Sequence, residues 1–254
     1  MRRLLGGCLG LGLWLVACAA LADELKIAVA ANFAGTLEAL APAFKQKTGH
    51  TLATSVGSSG ALYAQIKHGA PFEVLLSADA ERPRQLEQEG LGVAGTRFVY
   101  ARGQLALWSA QEGIVDAKGA ILKRKDLGKL GLADPATAPY GAAAREVLSR
   151  LGLWEKLSGE GALVIGTSVA HAFQFAASEN ARCAFVAWPQ VLSEGARGSW
   201  WKVPQQLYTP LDQEAILLKA GAPSAAARAF LQFLAQDPAA LALLRKAGYE
   251  KPKR

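Results

Sequence analysis

The sequence predicts an α/β protein of two lobes, each a mostly parallel sheet flanked by helices. Apolar runs of strand length alternate with segments of helical period along nearly the whole chain. The alternation comes in two successive series, which implies sheets covered by helices on both faces. Extended stretches near residues 102 and 213 separate the series, as expected where the chain crosses twice between lobes.

Leu25 to Ala31 reads as a buried strand, after which Phe33, Leu37, Leu40 and Phe44 recur at helical spacing. Pro42 has no N–H to donate, so a kink or a break into two short helices is expected there. The chain turns at Gly49, and Thr51 to Val56 forms the next strand. A helix with Leu62 and Ile66 follows, stopping at Gly69. Val74 to Leu76 is a third buried strand, ending at Ser77-Ala78-Asp79. Phe98 to Ser109 is extended and interrupted at Arg102-Gly103. The second series runs through strand Leu130 to Ala133, a helix from about Tyr140 to Leu157, strand Leu163 to Gly166, a helix from about Val169 to Asn180, and strand Ala184 to Ala187. Ala215 to Leu218 is one more strand. Helices carrying Phe230, Leu231 and Leu234, then Leu241, Leu243 and Leu244, close the chain.

The N-terminus reads as an export signal: Met-Arg-Arg, an apolar stretch from Leu4 to Ala17, then Ala20-Leu21-Ala22 before Asp23 and Glu24. Residues 1–22 form the expected signal peptide, cleaved after Ala22 for release into the periplasm. Leu15-Val16-Ala17-Cys18 resembles a lipobox, whose alternative product is a lipoprotein anchored through Cys18. The apolar stretch is shorter than the roughly 20 residues of a membrane span, so a soluble mature protein is expected. Export argues against a cytoplasmic enzyme. Cys183 is the only interior cysteine, which excludes an intrachain disulfide in the soluble form and makes a buried structural thiol the expectation. Removing Arg2 and Arg3 lowers the formal charge from +7 to +5. The remaining basic residues are dispersed, with no basic stripe interleaved with aromatics, so no nucleic-acid partner is expected.

Ligands of open α/β sheets bind outside the carboxyl ends of the strands, where helices begin. Four such junctions stand out: Ala31-Asn32, Ser58-Ser59 within Gly57-Ser58-Ser59-Gly60, Pro139-Tyr140-Gly141, and Thr167-Ser168-Val169. Helix starts offer unpaired N–H groups with partial positive charge. Asn32 adds an amide NH₂ and Ser59 a hydroxyl, and no Arg or Lys occupies any junction. A tetrahedral oxyanion presents four acceptor oxygens and no donor, so neutral donors suit it. Serine and asparagine also serve as plain helix caps, and Tyr140 fits a lid or a packing role equally well.

Ala30-Ala31-Asn32-Phe33, Phe44 to Gly49, Gly57 to Gly60, Gly69-Ala70-Pro71, Ser77-Ala78-Asp79, Asp134-Pro135, Ala138 to Gly141 and Ala247-Gly248-Tyr249, in this order and spacing, resemble the molybdate-binding periplasmic proteins of ABC transporters. The resemblance runs from about Glu24 to Tyr249. It implies a type II periplasmic binding protein fold with the ligand cleft between lobes. Residues 24–102 and 213–254 would form lobe I and residues 103–212 lobe II. It further implies a monomer with no cofactor and no enzyme activity, which captures molybdate or tungstate and delivers it to a membrane permease. Molybdenum would be held only as the bound oxyanion. The family's contacts fall on Asn32, Ser59, Tyr140 and Val169, with Ala31 at the first junction. Val169 and Tyr140 would act through backbone N–H groups. Some members carry a hydroxyl residue at Ala31, leaving a backbone donor here, and others place a tyrosine hydroxyl where this chain has Ala187.

Three other readings compete. Sulfate has the same hydrogen-bonding needs as molybdate and shorter bonds, so pocket size separates them; phosphate, often protonated, needs an acceptor that the junctions lack. An exported serine hydrolase would use Ser58 or Ser59 with His171 as base, although Gly-Ser-Ser-Gly is not the nucleophile-elbow pattern. His50, His68 and His171 have no partner at metal-ligand spacing. Trp188, Trp200 and Trp201 fit a core, an interface or a cleft edge alike.

Overall fold

In the computed structural model, which describes residues 23–250, strand β1 (Glu24–Ala30) shows the period of two that a strand between helical layers requires. Leu25, Ile27 and Val29 pack against Leu37, Leu40 and Phe44 of α1 (Ala34–Thr48) and against Phe230 and Leu234 of α8 (Ala225–Gln236). Ala28 faces the other way, onto Leu62 and Ile66 of α2 (Ser59–Lys67) and Leu86 of α3 (Glu81–Gln88). Full burial of each such large apolar side chain contributes roughly 1.5–3 kcal/mol. Phe44 and Phe230 add an edge-to-face contact with ring centroids 5.3 Å apart. The expected signal peptide, its cleavage after Ala22 and the Cys18 alternative lie outside the described residues.

The first sheet has the order β2-β1-β3-β10-β4, with β2 (Thr51–Gly57), β3 (Val74–Leu76), β4 (Phe98–Gly103) and β10 (Leu211–Leu217). Strands β2 and β3 run parallel to β1, while β10 is antiparallel to β3 and β4 because it re-enters from the other lobe. The second sheet has the order β7-β6-β8-β5-β9, with β5 (Leu105–Ser109), β6 (Leu130–Ala133), β7 (Leu163–Gly166), β8 (Cys183–Ala187) and β9 (Ser199–Lys202). Leu105, Leu107, Leu132 and Phe185 cover Ala144, Val147 and Leu148 of α4 (Pro139–Arg150). Ala106, Trp108, Ala184 and Val186 meet Phe173 and Ala176 of α6 (Val169–Ala177). Helix α9 (Pro238–Lys246) follows α8 on the first sheet.

Several expectations change. Pro42 does not break α1, which stays one helix over Ala34–Thr48. Its missing N–H leaves the Glu38 carbonyl unpaired, and both residues lie on the exposed face, where water can hydrate that carbonyl. The single helix expected from Tyr140 to Leu157 is two, α4 and α5 (Trp154–Gly159), because Gly152 turns the chain with φ 70°. Helix α3, α7 (Trp188–Ser193) and β9 appear in addition to the expected elements. Among the described residues no helix is long and apolar enough to cross a membrane. Cys183 is buried at the start of β8, and desolvation pushes its thiol pKa up to about 12. Trp201 is buried, while Trp200 packs beside Trp188 with ring centroids 6.3 Å apart.

Candidate oxyanion site between the lobes

All four predicted junctions line one small cavity. Ala30, Ala31 and Asn32 follow β1; Gly57, Ser58 and Ser59 join β2 to α2; Ala138, Pro139 and Tyr140 open α4; Ser168 and Val169 open α6. The enclosed space is only about 10 Å³, far below the several hundred of a typical organic-ligand pocket, which leaves no room for an organic ligand. Among the described residues no charged side chain lines it. Asn32, Ser59, Tyr140 and Val169 are all buried, none more than 4% exposed.

The helix starts explain why donors collect here. Ser58 is the N-cap of α2 and its hydroxyl accepts from the Ala61 N–H at 3.4 Å; Ser168 caps α6 in the same way, accepting from the His171 N–H at 3.3 Å. Pro139 stands at the first turn of α4, where its missing N–H costs no helical bond. Beyond these caps the backbone N–H groups of Ser59, Tyr140 and Val169 have no protein partner among the described residues, nor does that of Asn32. Three helix dipoles therefore point their positive ends into one small space. The fourth junction is a turn: Asn32 precedes α1 by two residues, held by the Phe33 N–H donating to the Ala30 carbonyl at 2.8 Å.

Each side chain takes a definite role. The Ser59 hydroxyl accepts from the Ala78 N–H at 2.9 Å, which leaves its own proton free to donate. The Tyr140 hydroxyl accepts from Gln213 Nε2 at 3.2 Å, so the backbone N–H is what this residue offers the cavity. Two expected donors are already committed. Asn32 Nδ2 donates to Gln213 Oε1 at 3.0 Å and to the Tyr249 hydroxyl at 3.2 Å, so the carboxamide NH₂ has no hydrogen to spare and the backbone N–H is the open group. The Ala31 N–H donates to the Gly57 carbonyl at 2.9 Å, leaving Ala31 to line the cavity with its methyl group instead of donating. Ala187 ends β8 with a methyl side chain that offers no donor, and its N–H donates to Gln190 Oε1.

Ala78 was missed as a site residue because an alanine after a three-residue strand carries no polar signal, yet its N–H holds the Ser59 hydroxyl. Asp79 follows it. Burial pushes the Asp79 pKa up, opposed by the Arg82 N–H and the Arg82 charge and by the Ser77 hydroxyl. The hydrolase reading lacks its machinery: His171 Nδ1 faces the Thr167 N–H at 3.4 Å, and among the described residues no hydrogen bond joins either serine to a histidine.

Residues 25–250 match the model of the bacterial extracellular solute-binding protein family. The chain belongs to that family. It is 51% identical to the molybdate-binding protein ModA of Rhodobacter capsulatus over 234 residues, covering 92% of this chain and 91% of the relative. It is 48% identical to ModA of Azotobacter vinelandii over 241 residues, 94% of each chain. Superposed on the structure of the periplasmic molybdate-binding protein of Azotobacter vinelandii, it gives a TM-score of 0.88 at 41% identity, covering 91% of this chain and all of the other. The fold is accordingly that of a two-lobe periplasmic binding protein, and the chain is a solute-binding protein and not an enzyme.

Proposed function

We propose that this chain captures molybdate, and tungstate with it, in the cavity between its lobes and delivers it to the membrane permease of an ABC transporter. The observation that carries this reading is the donor set. The Asn32, Ser59, Tyr140 and Val169 N–H groups and the Ser59 hydroxyl converge on a cavity with no charged side chain among the described residues. Such a site supplies donors to an anion that offers only acceptors, and helix dipoles replace a counter-ion. Hydrogen-bond number and reach then select the ligand. The full-length likeness to molybdate-binding proteins supports molybdate over sulfate.

The oxyanion is cargo, and the protein works as a monomer without a resident cofactor or a nucleic-acid partner. It acts in the periplasm after cleavage behind Ala22. Lobe I comprises residues 24–102 and 213–254 and lobe II residues 103–212, a division supported by the two sheets and by β10 returning to the first.

Calorimetric titration with molybdate, tungstate, sulfate and phosphate tests the reading. Molybdate and tungstate are expected to bind with sulfate far weaker and phosphate silent. Sulfate binding as tightly as molybdate would overturn it.

A further inference from the structure

Beneath the cavity lies a buried polar cluster that the donor set leaves unexplained. Gln213, on β10, is fully buried. Its Oε1 accepts from Asn32 Nδ2 at 3.0 Å and from the Tyr100 hydroxyl at 3.1 Å, and its Nε2 donates to the Tyr140 hydroxyl at 3.2 Å. Tyr249 closes the cluster, donating its hydroxyl to the Asn32 carbonyl at 2.8 Å while accepting from Asn32 Nδ2. Tyr249 packs with the first sheet and Asn32 follows its strand β1, whereas Tyr140 lies in the first turn of α4 on the second, so one carboxamide joins the two halves of the site.

The backbone is shaped to place that carboxamide. The β10–β4 register shifts between Gln213 and Glu214: Gln213 pairs with Ala101 and Glu214 with Val99, leaving Tyr100 as the extra residue of a β-bulge. Bulges re-aim side chains and recur beside functional sites. Gly103 lies at the mouth of the crossing from β4 to β5, and a methyl group there would overlap the Tyr140 hydroxyl and Gln213 Nε2.

We infer that Gln213 is a positioning residue for oxyanion binding, holding Asn32 and Tyr140 in register so that their backbone N–H groups point into one cavity. This rests on the oxyanion-binding reading above. The carboxamide suits the task because it is neutral and carries both an acceptor and a donor. A carboxylate there would supply acceptors alone and a negative charge near the bound dianion. The titratable groups around the position are Tyr100 on β4, Tyr140 on α4 and Tyr249 near the C-terminus, all raised in pKa mainly by burial, together with Asp79, whose charge acts on Tyr100.

The test is molybdate titration of the wild-type protein, Gln213→Glu and Gln213→Met across about pH 5.5 to pH 8.5, where ordinary aspartate and glutamate side chains are already ionised. A carboxyl group buried at this position titrates above the usual glutamate range. Protonated, it keeps a donor for Tyr140 and an acceptor for Asn32, so Q213E is expected near wild-type affinity at the acid end. With that carboxyl ionised, Q213E is expected to bind roughly tenfold or more weakly at the alkaline end, while the wild-type protein changes little. Q213M removes all three bonds and is expected to lose roughly tenfold at every pH. If Q213M does not fold, the Q213E profile decides alone. Q213E tracking the wild-type protein at each pH, or folded Q213M binding as tightly as the wild type, would overturn the inference. A wild-type protein that gives no heat with molybdate would instead bring down the functional reading on which it rests.

Discussion

Gly60 donates its backbone N–H to the Thr137 carbonyl oxygen at 2.9 Å, a bond that joins helix α2 of one lobe to the loop before α4 of the other. Asp134 fixes that loop, accepting from the Ala136 N–H and from the Thr137 hydroxyl. A methyl group on Gly60 would lie 2.9 Å from the Thr137 oxygen and 3.0 Å from its Cα, both backbone atoms that cannot rotate aside. Gly60→Ala is therefore expected to hold the lobes apart, weakening molybdate binding by roughly 1–2 kcal/mol. Alanine favours the helix by up to about 1 kcal/mol, so the ligand-free melting temperature should stay level or rise. Titration and melting of the same variant check the opposed directions; affinity and stability falling together would point to general misfolding.

The two adjacent serines should separate by assay. Ser58→Ala loses the cap on Ala61 and is expected to cost about 1 kcal/mol of stability with little change in affinity. Ser59→Ala removes a hydroxyl proton that is free to donate into the cavity and strands the Ala78 N–H, so it should weaken binding by roughly 1.5–3 kcal/mol. Chemical denaturation and calorimetry on both variants decide. Unchanged affinity in Ser59→Ala would mean that backbone donors suffice.

Asp79 supplies a pH signature. Burial raises its folded pKa above the ordinary 3.8, so the native state holds the proton more tightly than the unfolded chain. The ionised carboxylate thus destabilises the fold at neutral pH, and that penalty is relieved as pH falls through the folded pKa. Asp79→Asn keeps an acceptor for the Arg82 N–H and the Ser77 hydroxyl without the charge. The variant should be the more stable of the two at pH 7, with the gap closing toward the ordinary aspartate range. A gap that is constant with pH would remove this assignment.

Cys183, buried in β8 with its thiol pKa pushed up to about 12, should resist alkylation in the native protein near pH 8. Labelling monitored by mass should follow the unfolding transition through denaturant. Rapid native labelling would show that β8 opens locally.

Much of the site is legible along the chain because strand and helix periods mark their own junctions. Val29, Val56 and Ile165 end apolar runs, and the donor-bearing residues follow within a few positions. Helix α3 left little trace, since Pro83 and Leu86 are its only buried residues. The break between α4 and α5 rests on the left-handed turn at Gly152, easily read as a tolerated glycine within a longer helix.

Local pattern thus determined the α/β class, the two series of elements and the four junctions that face the cavity, because burial period and capping are properties of neighbouring residues. Which hydrogens remain free was decided only by the tertiary structure. Asn32 loses its carboxamide hydrogens to Gln213, 181 positions away, and to Tyr249, 217 positions away. Ala31 yields its N–H to the carbonyl of Gly57 across the sheet. A donor can serve a ligand only if no acceptor brought beside it by the fold has taken it first, and sequence spacing carries no record of that competition.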